Sequence, residues 1–317
     1  MSSHSSVNSA ATTVPRIGVD LGGTKIEVVV LTPEGAQLHR ERVPTPAGDY
    51  DAIVETITAL VTSAERCVGA HCTVGVATPG ALSPATGMLR NANTTCLNGR
   101  PLDRDLSDSL QRTVKIANDA NCFALSEAVD GAGRDADVVF GVIVGTGTGG
   151  GIVVSRRVLE GAHCIAGEWG HNPLPWPKPD ELPGPECYCG KRGCIETFLS
   201  GPGLARDYRA AGGEHLEAAA IAVRADGGEA LAVEALQRHA DRMARALSTV
   251  INVLDPDTIV VGGGISRIES LYGALAAHLP AHVFSDRVTT PIVPALHGDS
   301  SGVRGAAWLW PGPGEAR

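Results

Sequence analysis

The chain has 317 residues, 43% of them hydrophobic and 19% charged, the make-up of an ordinary globular protein with enough apolar material for one large or two medium domains. Its formal net charge of −9, without any run of clustered Lys and Arg, excludes a nucleic-acid partner, because phosphate backbones are bound by such clusters. No apolar run reaches membrane-spanning length, and the Ser/Thr-rich start MSSHSSVNSAATTV lacks the apolar core of a secretion signal. Residues 1–14 therefore read as a disordered tail on a cytoplasmic protein with no membrane partner.

The first predicted element is RIGVDLGGTKIEVVVLT: a β-rich run to Asp20, a turn through Gly22, Gly23 and Thr24, and a second β-branched run from Lys25. Strand, glycine turn, strand is a hairpin, and neither a Walker A loop nor a Rossmann fingerprint, since both of those open a helix. Backbone N–H groups at such a turn can cradle phosphate oxygens, with Lys25 as a nearby cation and Asp20 able to hold hydrated Mg2+; an ordinary tight hairpin is the plain alternative. DAIVETITALVTSAERCV follows as a helix, and TVGVATPG and TVKIANDA as strands. The second of these runs into Asn118 and Asp119, with a helix expected to start near Asn121 and aim its dipole back at the carboxylate. An ionised Asp119 at a strand end can take a proton from a substrate hydroxyl attacking phosphorus, a role worth roughly 10²- to 10⁴-fold. Helix capping by Asn118 or Asp119 explains the same residues without catalysis.

ADVVFGVIVGTGTGGGIVVS repeats the hairpin, with its turn at Gly145 to Gly151, where Gly145, Thr146, Gly147 and Gly149 are candidates for nucleotide phosphate. Gly145, Gly147 and Gly150 formally satisfy GxGxxG, but here the motif opens the β-branched run IVVS, so dinucleotide binding is rejected. A third run, DPDTIVVGGGIS, ends a strand at Gly262, Gly263 and Gly264 and leads into the helical stretch ESLYGALAAHL. Backbone without side chains there would let a flat ring approach. Two such hairpins imply a duplicated α/β domain with a nucleotide in the cleft between the copies, as in actin and hexokinase. The expected division is a small lobe over 15–120, with a C-terminal helix over 301–312 packing on it, and a large lobe over 121–300.

Between these elements lies the Pro/Gly-rich stretch NPLPWPKPDELPGPECYCG, and with it the group His171, Cys187, Cys189 and Cys194. Three thiols on one loop and a histidine sixteen residues upstream match a closed Cys3His shell, the pattern of a structural Zn2+ with no open position for water. A disulfide or plain buried thiols are the alternatives; a CxC disulfide would be strained. Glu168 lies three residues before His171 and Glu196 two after Cys194, so one metal would set two carboxylates side by side. The other five cysteines are scattered and read as small buried hydrophobes.

DLGGTK at 20–25, ATPG at 77–80, NDAN at 118–121, GTGTGGG at 145–151, GEWGH at 167–171, CxCGxxGCxE at 187–196 and GGG at 262–264 together resemble the ROK family of bacterial sugar kinases, from about Arg16 to Trp310. The resemblance implies an α/β, two-lobed actin-like ATPase fold, RNase H-like and duplicated, and a homodimer. It implies ATP and Mg2+ on the glycine turns and Asp119 as catalytic base. Gly80, Asn118, Glu168, His171 and Glu196 would surround the sugar, His171 turning one nitrogen to the metal and the other to a hydroxyl. NANTTCLNGRPLDRDL, GEWGHNPLPW and HGDSSGVRGAAWLWP look most similar to bacterial fructokinases of the manno(fructo)kinase type. The expected reaction is thus phosphorylation of fructose at its 6-hydroxyl, with mannose secondary; kinases for glucose, mannose or N-acetylhexosamines are the alternatives. The family's repressors need a helix-turn-helix ahead of the sugar domain, and only about fifteen residues precede the first strand. An inactive sugar sensor is disfavoured by the intact Asp119 and turns.

Overall fold

Each glycine turn closes an antiparallel hairpin, and each hairpin forms one side of a five-stranded sheet. The computed structural model describes residues 14–311, so the tail expected over 1–14 lies, but for its last residue, outside the described residues. The chain divides into two compact units, one running to Asp119 and resuming at Val303, the other spanning Ala120–Gly302.

In the first unit β1 (Arg16–Leu21), β2 (Lys25–Leu31) and β3 (Gln37–Pro44) form a meander. Helix α1 (Tyr50–Val68) then carries the chain back so that β4 (Thr73–Thr78) pairs parallel to β1. Asp49 caps α1 by accepting from the Ala52 N–H, and Gly69, at φ 66°, ends it. Its stripe of Ile53, Ile57, Leu60, Val61 and Ala64 buries against Ile17, Val19 and Leu21 of β1. The short pair β5 (Ala81–Leu82) and β6 (Leu89–Arg90), then α2 (Leu102–Leu110), lead to β7 (Val114–Asn118), parallel to β4. The sheet order is β3-β2-β1-β4-β7.

The second unit opens with α3 (Asp119–Val129), which starts two residues before the expected Asn121 and makes Asp119 its first helical residue. Strands β8 (Val138–Val144), β9 (Thr148–Val154) and β10 (Arg157–Val158) form the second meander. A long connection carries α4 (Ile195–Leu199), α5 (Gly201–Ala210), α6 (Ala218–Asp226) and α7 (Ala230–Leu254) before β11 (Thr258–Gly262) pairs parallel to β8. Helix α8 (Glu269–His278) precedes β12 (Ile292–Pro294), giving the order β10-β9-β8-β11-β12, strand for strand the arrangement of the first sheet. The buried Glu127 of α3 accepts from the backbone N–H groups of Ala132, Leu296 and His297 and from the Ser301 hydroxyl, tying α3 to the far end of this unit.

The last helix, α9 (Ser301–Trp308), stops at Trp308 rather than reaching 312, three residues before Pro311. Within the first unit it seats on glycine: Gly18 and Gly75 are register partners, and a Cβ on either would stand 1.9 Å from the carbonyl oxygen of Val303 or Ala306. Any side chain there would push the helix off the sheet.

Candidate active site and metal centre

Strands β1, β4 and β7 run parallel, so Asp20, Gly80 and Asn118–Asp119 collect at or just beyond their carboxyl ends, the edge where α/β sheets place ligands. The turn is closed by the Gly22 N–H donating to the Lys25 carbonyl at 3.0 Å and braced by the Thr45 hydroxyl donating to the Gly22 carbonyl at 2.7 Å. Gly23 and Thr24 stay exposed. Burial pushes the Asp20 carboxyl up to about 6, with the carboxylates of Asp119 and Glu27 adding to the rise and Lys25 and Arg42 opposing it. Asp20 and Asp119 therefore feel one another, and a divalent cation is what relieves such a pair. Gly80 has φ +78°, and a Cβ there would stand 2.2 Å from the Arg90 carbonyl oxygen. Its own carbonyl accepts from the Asn118 side-chain amide at 3.1 Å, which fixes the residue just ahead of Asp119.

In the second unit the glycines divide into two kinds. The turn proper is Gly145–Gly147, closed by the Gly145 N–H donating to the Gly147 carbonyl at 2.9 Å, and a Cβ on Gly145 would meet nothing within 4 Å. Gly149, grouped with the turn in the sequence, lies instead in β9, where its carbonyl accepts from the Trp169 indole N–H at 3.0 Å. Gly150 and Gly151 are packing glycines: the GEWGH segment and α3 come so close that a Cβ on either would fall within 3.0 Å of a neighbouring atom. The same holds at the third run. A Cβ on Gly262 would strike the Phe123 ring at 2.4 Å and one on Gly263, at φ +80°, the Val144 carbonyl oxygen at 2.4 Å, whereas Gly264 faces open space. Of the three, Gly264 alone offers bare backbone to a ligand.

The metal-ligand candidates converge. The Nδ1 of His171 and the Sγ atoms of Cys187, Cys189 and Cys194 all lie within 4.8 Å of one another. Cys187 Sγ is 3.6 Å from His171 Nδ1, and Cys189 Sγ is 3.6 Å from Cys194 Sγ. Two sulfurs bound to one tetrahedral zinc stand about 3.8 Å apart, so the donor set fits that ion. Backbone hydrogen bonds set the loop: Cys187 N–H to the Lys191 carbonyl at 2.9 Å, Gly190 N–H to the Cys187 carbonyl at 3.0 Å, and positive φ at Gly190 and Gly193. Burial pushes the Cys187 and Cys194 thiols up, Cys194 to about 12, while a hydrogen bond from the Lys191 backbone holds Cys189 below its ordinary value. Three sulfurs this close become thiolates together only around a cation.

The two flanking carboxylates are placed differently. Glu168 is exposed at the start of the short 3-10 turn Trp169–His171. Glu196, in α4, accepts at Oε2 from the Thr148 N–H at 2.9 Å and so braces the second hairpin, a contact the sequence did not announce. Two further features escaped sequence reading. The Tyr188 hydroxyl sits 2.9 Å from His171 Nε2; an aromatic residue inside the CYC motif was the available signal. The buried Glu181 of the Pro-rich loop pairs with Arg242 and Arg245 of α7, and Arg245 also donates to the carbonyls of Pro175 and Trp176. No periodicity links an acidic loop residue to a helix sixty positions on.

Two sheets of like topology, each with a glycine hairpin, and carboxylates at the strand ends of the first, define the duplicated RNase H-like arrangement of the actin-like ATPases, here in its sugar-kinase form. A sequence model of the ROK family matches residues 16–312, and the chain belongs to that family. It is 42% identical over 296 residues to an N-acetyl-D-glucosamine kinase of Pectobacterium atrosepticum, covering 92% of this chain and 97% of that one. Among solved structures it resembles a ROK hexokinase from Thermus thermophilus, with a TM-score of 0.82 and 30% identity over 93% of this chain and 97% of the other. A ROK family glucokinase from Streptomyces griseus, solved in complex with glucose and AMPPNP, follows at a TM-score of 0.74 and 28% identity over 93% and 98%. Among the described residues no helix is long and apolar enough to cross a membrane.

Proposed function

We propose that this sugar kinase transfers the γ-phosphoryl group of ATP to the 6-hydroxyl of a hexose, and that N-acetyl-D-glucosamine is the sugar. The observation that carries the choice of sugar is the 42% identity, over nearly the whole chain, to a relative named for that activity. Fructose, suggested by Asn91–Leu106, Gly167–Trp176 and His297–Pro311, becomes the competitor. The reaction is assigned to the cytoplasm.

In the proposed reaction the 6-hydroxyl oxygen attacks the γ-phosphorus, the bond to the β–γ bridging oxygen breaks, ADP leaves, and the hydroxyl proton passes to the Asp119 carboxylate. Asn118, anchored on Gly80, sets the position of Asp119. Glu168, His171 and the free oxygen of Glu196 accept or donate to sugar hydroxyls, and a sugar lacking one of those hydroxyls leaves a carboxylate unpaired. Gly22 to Lys25, Gly145 to Gly147 and Gly264 present backbone to the nucleotide. Asp20 suits a hydrated Mg2+, which would supply charge neutralisation on the phosphates. His171 Nδ1 and the three thiolates suit a structural zinc, whose contribution would be to hold the loop bearing His171 and Glu196.

An ADP-release assay across N-acetylglucosamine, fructose, mannose and glucose tests the assignment. N-acetylglucosamine should give the highest kcat/KM. A preference for fructose would restore the reading of the three segments, and silence on every sugar, with binding retained, would point to a sensor.

A further inference from the structure

Tyr188 stands between two of the metal-ligand candidates, and its backbone is pinned by the hydrogen bonds that frame the loop. The residue is 83% exposed, and its ring meets the His171 ring edge-on, with centroids 5.1 Å apart and an interplanar angle of 88°. The phenol is held at its hydroxyl end, 2.9 Å from His171 Nε2. With a metal on Nδ1, which faces the sulfurs, Nε2 would carry the proton and donate to the tyrosine oxygen. In the proposed function a sugar hydroxyl meets the same Nε2, and a phenol offers the same donor and acceptor as an alcohol. Exchanging one for the other leaves Nε2–H satisfied, and the released ring, already mostly in water, gives up little packing. The Glu168 and Glu196 carboxylates lie within electrostatic reach of the same hydroxyl.

We propose that Tyr188 is a displaceable cap on the sugar subsite. Its hydroxyl keeps the His171 Nε2–H occupied until a sugar hydroxyl takes its place, so Tyr188 sets sugar affinity through His171 and is a positioning residue, outside phosphoryl transfer. The proposal rests on the sugar-kinase reading above and adds to it the residue with which the sugar competes.

Tyr188→Phe keeps the ring and removes the competing oxygen. In the metal-loaded protein it should lower the sugar KM about two- to fivefold, the scale of one exposed hydrogen bond, while kcat and the KM for ATP move less. Side-chain nitrogen NMR reads the same event directly. Without sugar, the Nε2 signals of His171 should differ between wild type and variant, and saturating N-acetylglucosamine should bring them together. A permanent brace for the metal ligand predicts the opposite sign: the variant would bind zinc less tightly and its sugar KM would rise. That result, an unchanged KM, or an Nε2 signal that ignores bound sugar would overturn the cap. If calorimetry finds no hexose bound by either protein, the sugar-kinase reading itself fails and takes the cap with it.

Discussion

The two sheets share order and strand sense, yet their hairpins and connections differ in kind. In the first unit the turn lies next to ionisable groups, Asp20 and Lys25, and the route from β3 back to β4 is the single helix α1. In the second the turn Gly145–Thr146–Gly147 carries no ionisable residue of its own and is braced from outside, by Glu196 on the Thr148 N–H and by the Gly201 N–H on the Gly145 carbonyl at 2.8 Å. The route from β10 to β11 there carries the GEWGH segment, the metal loop and four helices. A duplicated sheet thus gives two equivalent scaffolds, and the candidate site residues fall where the scaffold is indifferent to sequence: at strand ends in one copy, and in a crossover connection in the other.

The hardest test of that division falls on the first unit. Asp119→Asn keeps the shape of the side chain and loses its basicity, so kcat should fall about 10²- to 10⁴-fold while calorimetry still detects sugar binding. Retention of more than about a tenth of wild-type kcat would remove Asp119 from the role of base and leave the strand ends of the two sheets chemically alike.

In the second unit the crossover is anchored at the His171–Cys187–Cys189–Cys194 cluster and at the buried Glu181 between Arg242 and Arg245, with Lys178 on Asp241 as a further tie. Glu181→Ala removes the carboxylate that both guanidiniums share, leaving Arg242 to Asp207 and Arg245 to Asp241 and the Pro175 and Trp176 carbonyls, and should cost about 2–3 kcal/mol in denaturant unfolding. A loss under about 1 kcal/mol would mean that solvent already reaches the pair.

Chelation of the metal, or Cys189→Ser, should act more locally, raising the sugar KM about tenfold or more while the ATP KM changes little, as second-sphere losses at metal sites do. Metal analysis that finds no zinc in active protein would dismiss the site. Equal rises in both KM values would show that the metal supports more than the crossover.

The smallest expected effects concern pH, and they run in opposite directions in the two units. Asp20 has its folded value raised from 3.8 to about 6, so its contribution to stability is complete below about 3.8 and is lost as pH rises through 6. Asp20→Asn should therefore melt a few degrees above ligand-free wild type at pH 8 and level with it near pH 4. In α7, His239 is fully buried, neither ring nitrogen hydrogen-bonds a described protein group, and burial lowers its value from 6.5 to about 4. Its contribution is complete above about 6.5 and is lost as pH falls through 4, so His239→Leu should flatten the acid side of the melting profile. Melting temperatures taken from pH 4 to 8 separate the two, and a variant pair with parallel profiles would refute both assignments.

Much of this protein was fixed by short-range signals in its sequence. Two β-rich runs around a glycine turn can only fold back as a hairpin, so both hairpins were legible, and ligand spacing within one loop foretold the convergence of His171, Cys187, Cys189 and Cys194. Asp119 was legible as a strand-end carboxylate because the strand-to-helix switch beside it is local. The roles of individual glycines were decided by tertiary structure. Gly23 and Gly264 leave backbone open, whereas Gly18, Gly150 and Gly262 make room for Val303, Trp169 and Phe123, from 19 to 285 positions away along the chain. Likewise Tyr188 on His171 and Glu181 on Arg245 depend on side chains meeting in three dimensions. Sequence periodicity reports which way the backbone turns; it is close packing, which leaves no room for one more methyl group, that decides what each residue is for.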